Sequence, residues 1–223
     1  MRLELAERLR CPAPHAPTPL IVVAQRTVGR DLLEALLGCP VCRLEARIVD
    51  GDVRFDAAVP SEAAAGVAAT ATASPPRVGP VPELERVVAL LGLSEPEGAV
   101  LLTGRYATLG VPLAALTGVY VIVMHADADG SPDATVDATT AAVHGCPAAA
   151  PFSDATFRGV ALDSGLPAPF VTDAVRATAI GGRVLAAAGV AAPGGLKELA
   201  RDDREWVAAR ESTAAIVELK RRG

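Results

Sequence analysis

The chain has 223 residues, of which 51% are hydrophobic and 3% aromatic, and its formal net charge at pH 7 is −5. This length and apolar content predict an ordinary globular domain with room for a small module, and they exclude a largely disordered chain. The acidic balance offers no basic field to a phosphate backbone, which argues against nucleic acid as a partner. No secretory signal is evident, and the most apolar stretch, 111–124, is shorter than the roughly 20 residues that a membrane helix needs. We therefore expect a cytoplasmic protein without membrane contact.

Two cysteine–proline clusters lie near the start of the chain. Cys11 and His15 belong to the first, and Cys39 and Cys42 form a Cys-x₂-Cys turn in the second. Such a turn aims both sulfurs at a common point, and Zn²⁺ binds four tetrahedral nitrogen or sulfur ligands. In a reducing compartment these spacings favour a metal or redox site over a disulfide. They predict a structural zinc site, in which His15 is the least regular ligand. If His15 does not bind, the small apolar core would maintain the fold of this region without a metal.

The first 55 residues contain short predicted elements around these clusters. An apolar run at 20–24 predicts a strand, and the segment 32–37, closed by Gly38, predicts a short helix. Asp50-Gly51 between the apolar runs 46–49 and 53–55 predicts a tight hairpin. A cysteine turn followed by a hairpin is typical of a zinc ribbon.

An Ala-, Thr- and Pro-rich stretch at 56–82 separates this region from the rest of the chain. Its composition predicts a linker, although an ordered arm along the following domain is also open. Beyond it, helices and strands alternate, which predicts a parallel α/β sheet. The predicted helices are 84–91, 112–116, 169–179 and most of 196–222. The predicted strands are 99–102, 120–124, 159–162 and 183–187, with a weaker element at 134–143.

Three segments of the sequence resemble known families. LLGCPVCRLEARIVDGDVRF, at 36–55, resembles the zinc ribbons that serve as small activating partners of methyltransferases. The other two segments resemble class I S-adenosylmethionine-dependent methyltransferases. The segment at 151–157, PFSDATF, is similar to the one that precedes the fourth strand in that family, and the segment at 174–190, AVRATAIGGRVLAAAGV, is similar to its helix, glycine turn and fifth strand. The resemblance implies a zinc-ribbon-like module at 1–55, a linker at 56–82, and a Rossmann-like methyltransferase domain at 83–223.

The resemblance also implies where a cofactor would bind. In this family an acidic residue ends the first strand, and a glycine-rich loop then approaches the methionine part of S-adenosylmethionine. Here only Gly104 matches that loop, because Arg105 and Tyr106 replace small residues and no carboxylate stands nearby. An acidic residue after the second strand would hold the ribose; Asp127 or Asp129 fits that position, and two solvated loop aspartates are an equally open interpretation.

Other polar residues allow a functional and a structural interpretation. His125 ends a predicted strand and could be a general base or a structural histidine. Asp163 follows another predicted strand and could contact a substrate or form part of a turn. Cys146 is most simply a small buried hydrophobe. The charged run at 201–205 is typical of a solvated helix face.

Two functional hypotheses follow. The departures around Gly104 favour a non-catalytic binding or scaffold subunit with a degenerate cofactor loop, which would act on a protein partner or through self-association. The alternative is an active S-adenosylmethionine-dependent methyltransferase with an atypical cofactor site, since a fold alone does not establish function.

Overall fold

The computed structural model describes residues 1–55, 83–125, 139–146 and 148–212. The strands are β1 (Ile21–Val28), β2 (Asp31–Gly38), β3 (Glu45–Val49), β4 (Asp52–Phe55), β5 (Ala99–Thr103), β6 (Tyr120–His125), β7 (Thr140–His144), β8 (Phe157–Leu162), β9 (Thr178–Ala187), β10 (Leu196–Arg201) and β11 (Glu205–Arg210). The helices are α1 (Leu3–Ala6), α2 (Leu84–Leu91), α3 (Gly110–Thr117), α4 (Ala168–Ala177) and the 3₁₀ helix Gly104–Leu109. None of the helices in these ranges combines the length and the apolar character that crossing a bilayer requires. The predicted linker at 56–82 lies outside the described residues.

The strands form one sheet in the order β1-β2-β3-β4-β7-β6-β5-β8-β9-β11-β10. Its centre, β7-β6-β5-β8-β9, is parallel, with α3 between β5 and β6 and α4 between β8 and β9. Numbered along the chain, the five central strands have the doubly wound order 3-2-1-4-5 of Rossmann folds. The predicted Rossmann-like α/β fold is therefore confirmed. In such sheets ligands bind at the carboxyl ends of the strands, where the order reverses between β5 and β8.

The central strands are buried on both faces because helices cover the two sides of the sheet. All five residues of β5 are buried. Val100 and Leu102 pack in one apolar cluster with residues of α2 and α3. Leu101 points into a second cluster, which contains residues of α4 and of the first 55 residues. The core therefore lies on both faces of one strand.

The first 55 residues extend the same sheet. The predicted hairpin is confirmed: Val49 pairs with Asp52, and the turn residues Asp50 and Gly51 have φ of 50° and 89°. Strand β4 then runs parallel to β7, with Val53 opposite Val143. The division into a module at 1–55 and a domain at 83–223 stays a prediction, but their strands share one hydrogen-bonded ladder.

Two predicted helices are wrong. The segment 32–37 has good helix formers but lies in β2, because it pairs with β1 on one side and β3 on the other. The predicted helix at 196–222 is a hairpin of β10 and β11 over its described part, because β11 pairs along β9 and buries Trp206 and Val207. In both places tertiary pairing overrides local propensity.

Candidate metal centre and the cavity at the carboxyl edge

Two loops of the first 55 residues hold the four predicted metal ligands. The backbone N–H of Cys11 donates to the carbonyl of Thr18 at 2.9 Å, and this hydrogen bond fixes the position of Cys11. Cys39 follows β2 directly, and its N–H donates to the carbonyl of Leu44 at 2.8 Å, closing the turn between β2 and β3. This turn carries Cys42, so the hairpin geometry positions both of its cysteines.

The structure brings the four ligand atoms to within 4.8 Å of one another. The sulfurs of Cys11 and Cys42 are 3.5 Å apart, and His15 Nε2 lies 3.2 Å from the Cys11 sulfur and 3.4 Å from the Cys39 sulfur. His15 Nδ1 is 2.7 Å from the carbonyl oxygen of Ala16. Because a carbonyl only accepts, this contact assigns the proton to Nδ1 and leaves the lone pair of Nε2 facing the sulfurs. The cluster can bind a metal ion.

The protonation of the cluster also favours a cation. Burial raises the pKa of Cys11 to about 12, and the neighbouring thiols add to this. Burial raises the pKa of Cys39 as well, but N–H groups of Cys42 and Val41 donate to its sulfur, and together with the neighbouring thiols they lower the pKa to about 7. One thiolate therefore forms readily, while further thiolates in the same small volume need a positive charge to stabilise them.

A cavity of about 290 Å³ lies at the carboxyl ends of the central strands. It is lined by Thr103, Gly104, Met124, His125, Cys146, Ser164, Gly165, Leu166 and Phe170. His125 and His144 are neighbours on β6 and β7, and their rings stack at 4.9 Å with planes 12° apart. Gly104, a predicted cofactor residue, and His125, which the sequence allows as a general base or a structural histidine, both line this cavity. Asp127 and Asp129 lie outside the described residues.

Gly104 is needed because Asp163 approaches it closely. It has φ of 53°, and a Cβ at this position would lie 2.5 Å from both Cβ and Oδ2 of Asp163. Asp163 Oδ2 accepts a hydrogen bond from the N–H of Arg105 at 2.8 Å, and its Oδ1 accepts one from the N–H of Ser164 at 2.7 Å. The side chain of Asp163 therefore occupies the space above this glycine.

The residues after Gly104 join a buried ionic network. Tyr106 is fully buried, and its hydroxyl donates to Glu205 Oε1 at 2.7 Å. Arg105 donates to the Tyr106 hydroxyl at 2.9 Å and to Glu205 at 3.2 Å, while Arg86 donates to Glu205 from the other side at 3.2 Å. Burial raises the pKa of Tyr106 and keeps the phenol neutral. These contacts fold the loop into the 3₁₀ helix.

Sequence reasoning missed Glu205, because the sequence predicts a solvated helix face at 201–205. Residues 201–204 are exposed as predicted, but the run is not helical. Glu205 begins β11 and is 7% exposed. The only signal was its position next to the single tryptophan, Trp206, whose indole N–H donates to the Val190 carbonyl. A charged residue that shares a strand with a buried aromatic residue is a candidate for burial with a partner.

Cys146 lies outside the predicted set of metal ligands. It is buried, it lines the cavity, and burial raises the pKa of its thiol, with a further contribution from the nearby Cys11. Gly145, just before it, approaches the carbonyl of Phe55 at the end of β4 so closely that a Cβ would lie 2.3 Å from that oxygen. The segment that carries Cys146 is therefore packed against the end of β4.

No protein-family model matches the sequence, and a search of curated proteins also found no match. Among solved structures, the chain is similar to a geranyl diphosphate C-methyltransferase from Streptomyces coelicolor, with 16% identity and a TM-score of 0.39 over 46% of this chain. It is also similar to the antibiotic-resistance methyltransferase Kmr, with 12% identity and a TM-score of 0.42 over 61% of this chain and 97% of that protein. The chain spans 42% of the length of the first of these enzymes. The strand order establishes the fold independently of both.

Proposed function

We propose that the protein is a non-catalytic binding subunit: a methyltransferase-like fold with a degenerate cofactor loop, stabilised by a structural zinc ion. The observation that carries the proposal is the side chain of Asp163 above Gly104. A glycine at this position would serve to let a ligand approach the backbone. Here the side-chain carboxylate of Asp163 takes the place of a ligand, and it also accepts a hydrogen bond from the N–H of Arg105.

The rigidity of the loop supports the same proposal. Arg105, beside Gly104, pairs with both Asp163 and Glu205. The ion pairs and hydrogen bonds among Arg105, Tyr106 and Glu205 tie the loop to β11. Opening it would leave buried polar groups unpaired, at a cost of several kcal/mol. The residues present therefore do not fit the methionine part of S-adenosylmethionine at this position.

The cavity favours a second candidate, an active methyltransferase with an atypical cofactor site. Its volume of about 290 Å³ is close to the lower limit of about 300 Å³ for small-molecule pockets. In this alternative Asp127 or Asp129 would bind the ribose hydroxyls. Replacing the functional aspartate with alanine would then abolish methyl transfer.

Calorimetric titration of the zinc-loaded protein separates the two candidates. We expect no heat from S-adenosylmethionine or S-adenosylhomocysteine, because both carry the methionine part that Asp163 excludes. Adenosine, which lacks that part, is the matched control ligand, and its binding alone would support the proposal. Micromolar binding of S-adenosylmethionine by the wild-type protein would overturn it.

The variant Asp163→Gly removes the obstructing side chain. We therefore expect this variant to bind S-adenosylmethionine or S-adenosylhomocysteine, which the wild type does not bind.

The proposed zinc ion would be held by Cys11, His15, Cys39 and Cys42, whose three sulfurs and one nitrogen lie within 4.8 Å of one another, and four nitrogen or sulfur ligands are what a structural zinc ion binds. It would act structurally, since four protein ligands leave no position for substrate. We expect elemental analysis to find about one zinc per chain. Cys42→Ser should lose the metal, whereas Cys146→Ala, a change of the fourth cysteine, should retain it. Zinc at full content in Cys42→Ser would contradict this ligand set.

A further inference from the structure

An exposed apolar surface lies on the outer face of the hairpin between the two pairs of metal ligands. Among the described residues, ten large hydrophobic side chains are exposed, and six of them fall between residues 21 and 49. Ile21 and Val23 on β1 are 56% and 54% exposed, and Leu36 on β2 is 43% exposed. Val23 pairs directly with Leu36, so these side chains are contiguous. We name Ile21, Val23, Leu36, Gly38, Glu45 and Arg47 the hairpin face.

The hairpin face contains a groove of about 260 Å³. Gly38 lies between Ile21 and Glu45 across the strands, and a Cβ placed on it would meet nothing within 4 Å. The missing side chain therefore leaves a depression between larger neighbours. Leu36, two residues before Gly38 on β2, lines the same groove and is 43% exposed. A depression and a protruding apolar side chain are thus adjacent on one surface.

The same face carries one charge of each sign. Glu45 and Arg47 project from β3 on the outer side, two residues apart, next to Gly38 and Leu36. An interface between identical copies around a two-fold axis must be self-complementary, so that residue i contacts j and j contacts i. A surface with a groove and a protrusion, and with an acid and a base, meets that requirement.

We propose that the hairpin face binds a second copy of this chain in a two-fold symmetric dimer. Leu36 of each copy enters the depression at Gly38 of the other, and Glu45 of each copy pairs with Arg47 of the other. Burial of the apolar side chains stabilises the contact, and the charges set its register. The small apolar area predicts a reversible dimer rather than an obligate one. The inference does not depend on whether the cavity binds a cofactor.

Sedimentation equilibrium of the zinc-loaded full chain tests the proposal. We expect twice the chain mass of 22.7 kDa at about 100 μM, a concentration that would saturate a micromolar dimer. Gly38→Leu fills the groove in a position where the side chain has space, and we expect it to weaken the dimer at least tenfold. Zinc content and melting temperature should stay at wild-type values, which shows that the fold is intact.

Two further measurements test which residues form the contact. Glu45→Arg and Arg47→Glu should each weaken the dimer, and the double variant should restore it, because the swapped charges are again complementary between copies. Ile180→Glu, at a 64% exposed residue away from the face, is the matched control and should leave the dimer intact. A wild-type monomer at every concentration would overturn the proposal and leave the face to another protein. Equal dissociation by Ile180→Glu and Gly38→Leu would also overturn it.

Discussion

At the scale of single residues, Asp163 determines the conformation of the loop that begins at Gly104. Its two carboxylate oxygens accept the N–H groups of Arg105 and Ser164, so it joins the ends of β5 and β8. Arg105 Nε also lies 3.6 Å from Asp163 Oδ1, which adds an ion pair to the backbone contact. A side chain with three such contacts leaves its position only if all three are broken.

The close approach of Asp163 makes Gly104 sensitive to a single added methyl group. We expect Gly104→Ala to lower the free energy of unfolding by about 2–4 kcal/mol, because positive φ and steric overlap both act against it. Urea denaturation measures the loss. Gly181→Ala is the matched control, since Gly181 has φ of 78° but open space around its Cβ position, and we expect it to lose only about 1 kcal/mol.

A double variant separates the two causes in Gly104. Combining Gly104→Ala with Asp163→Gly removes the overlap, so the loss caused by the added methyl group should fall towards that of Gly181→Ala. Equal losses in the two single glycine variants would show that Asp163 exerts no steric effect.

At the scale of elements, the end of α4 is tied to the segment that leads into β8. Arg176 in the last turn of α4 donates to Asp154 at 2.6 Å and to the carbonyl of Phe152 at 2.9 Å. Partial burial raises the pKa of Asp154, but Arg176 outweighs this effect and leaves the pKa lowered. The contact therefore stabilises the fold when Asp154 is ionised.

The lowered pKa predicts a pH-dependent effect of Asp154→Asn. A carboxyl group whose pKa is lower in the folded state stabilises the protein fully above its unfolded pKa of about 4, and this contribution is lost as the pH falls through the folded pKa. We expect the variant to lose less than about 1 kcal/mol at pH 7, because the carboxylate is largely exposed.

Denaturation at a series of pH values tests this dependence. The difference between wild type and Asp154→Asn should shrink below pH of about 4, and at pH 7 it should shrink in high salt. A difference that stays constant between neutral and acid pH would exclude the ion pair as its cause.

At the scale of the whole molecule, the metal-binding hairpins and the parallel core share one sheet. The connection is the pairing of β4 with β7, where Phe55 is almost fully buried and its carbonyl packs against Gly145. The single tryptophan, Trp206, lies in β11, near the opposite edge of the same sheet. It therefore reports whether a change at the metal cluster reaches the far side of the molecule.

Removal of the metal should destabilise the entire sheet. A ligand that binds only the folded state raises its stability by mass action, and this gain is lost on chelation. We expect a chelator to lower the melting temperature reported by Trp206 fluorescence by more than about 5 °C, in one transition. The metal-free variant Cys42→Ser should melt at the lowered temperature with or without chelator. A tryptophan transition unaffected by chelation would show that the hairpins unfold separately.

Short-range signals in the sequence predicted much of this protein. The Asp50-Gly51 turn, the helix 84–91 ended by Gly92, and the apolar strands at 99–102 and 120–124 are confirmed, because adjacent residues decide turns, caps and burial of short apolar runs. The four candidate metal ligands were also visible as two spacings, and the fold brings them together.

Tertiary structure decided what depends on residues distant in sequence. Residues 32–37 are good helix formers, yet they form β2 because strands on both sides supply hydrogen-bond partners. Glu205 is buried only because Arg86, Arg105 and Tyr106 surround it. Gly104 matched a cofactor loop by its position, but its neighbour is Asp163, 59 residues further along the chain. A sequence pattern indicates which backbone conformations a residue can adopt. Which group packs against that residue is decided by the tertiary structure of the whole chain.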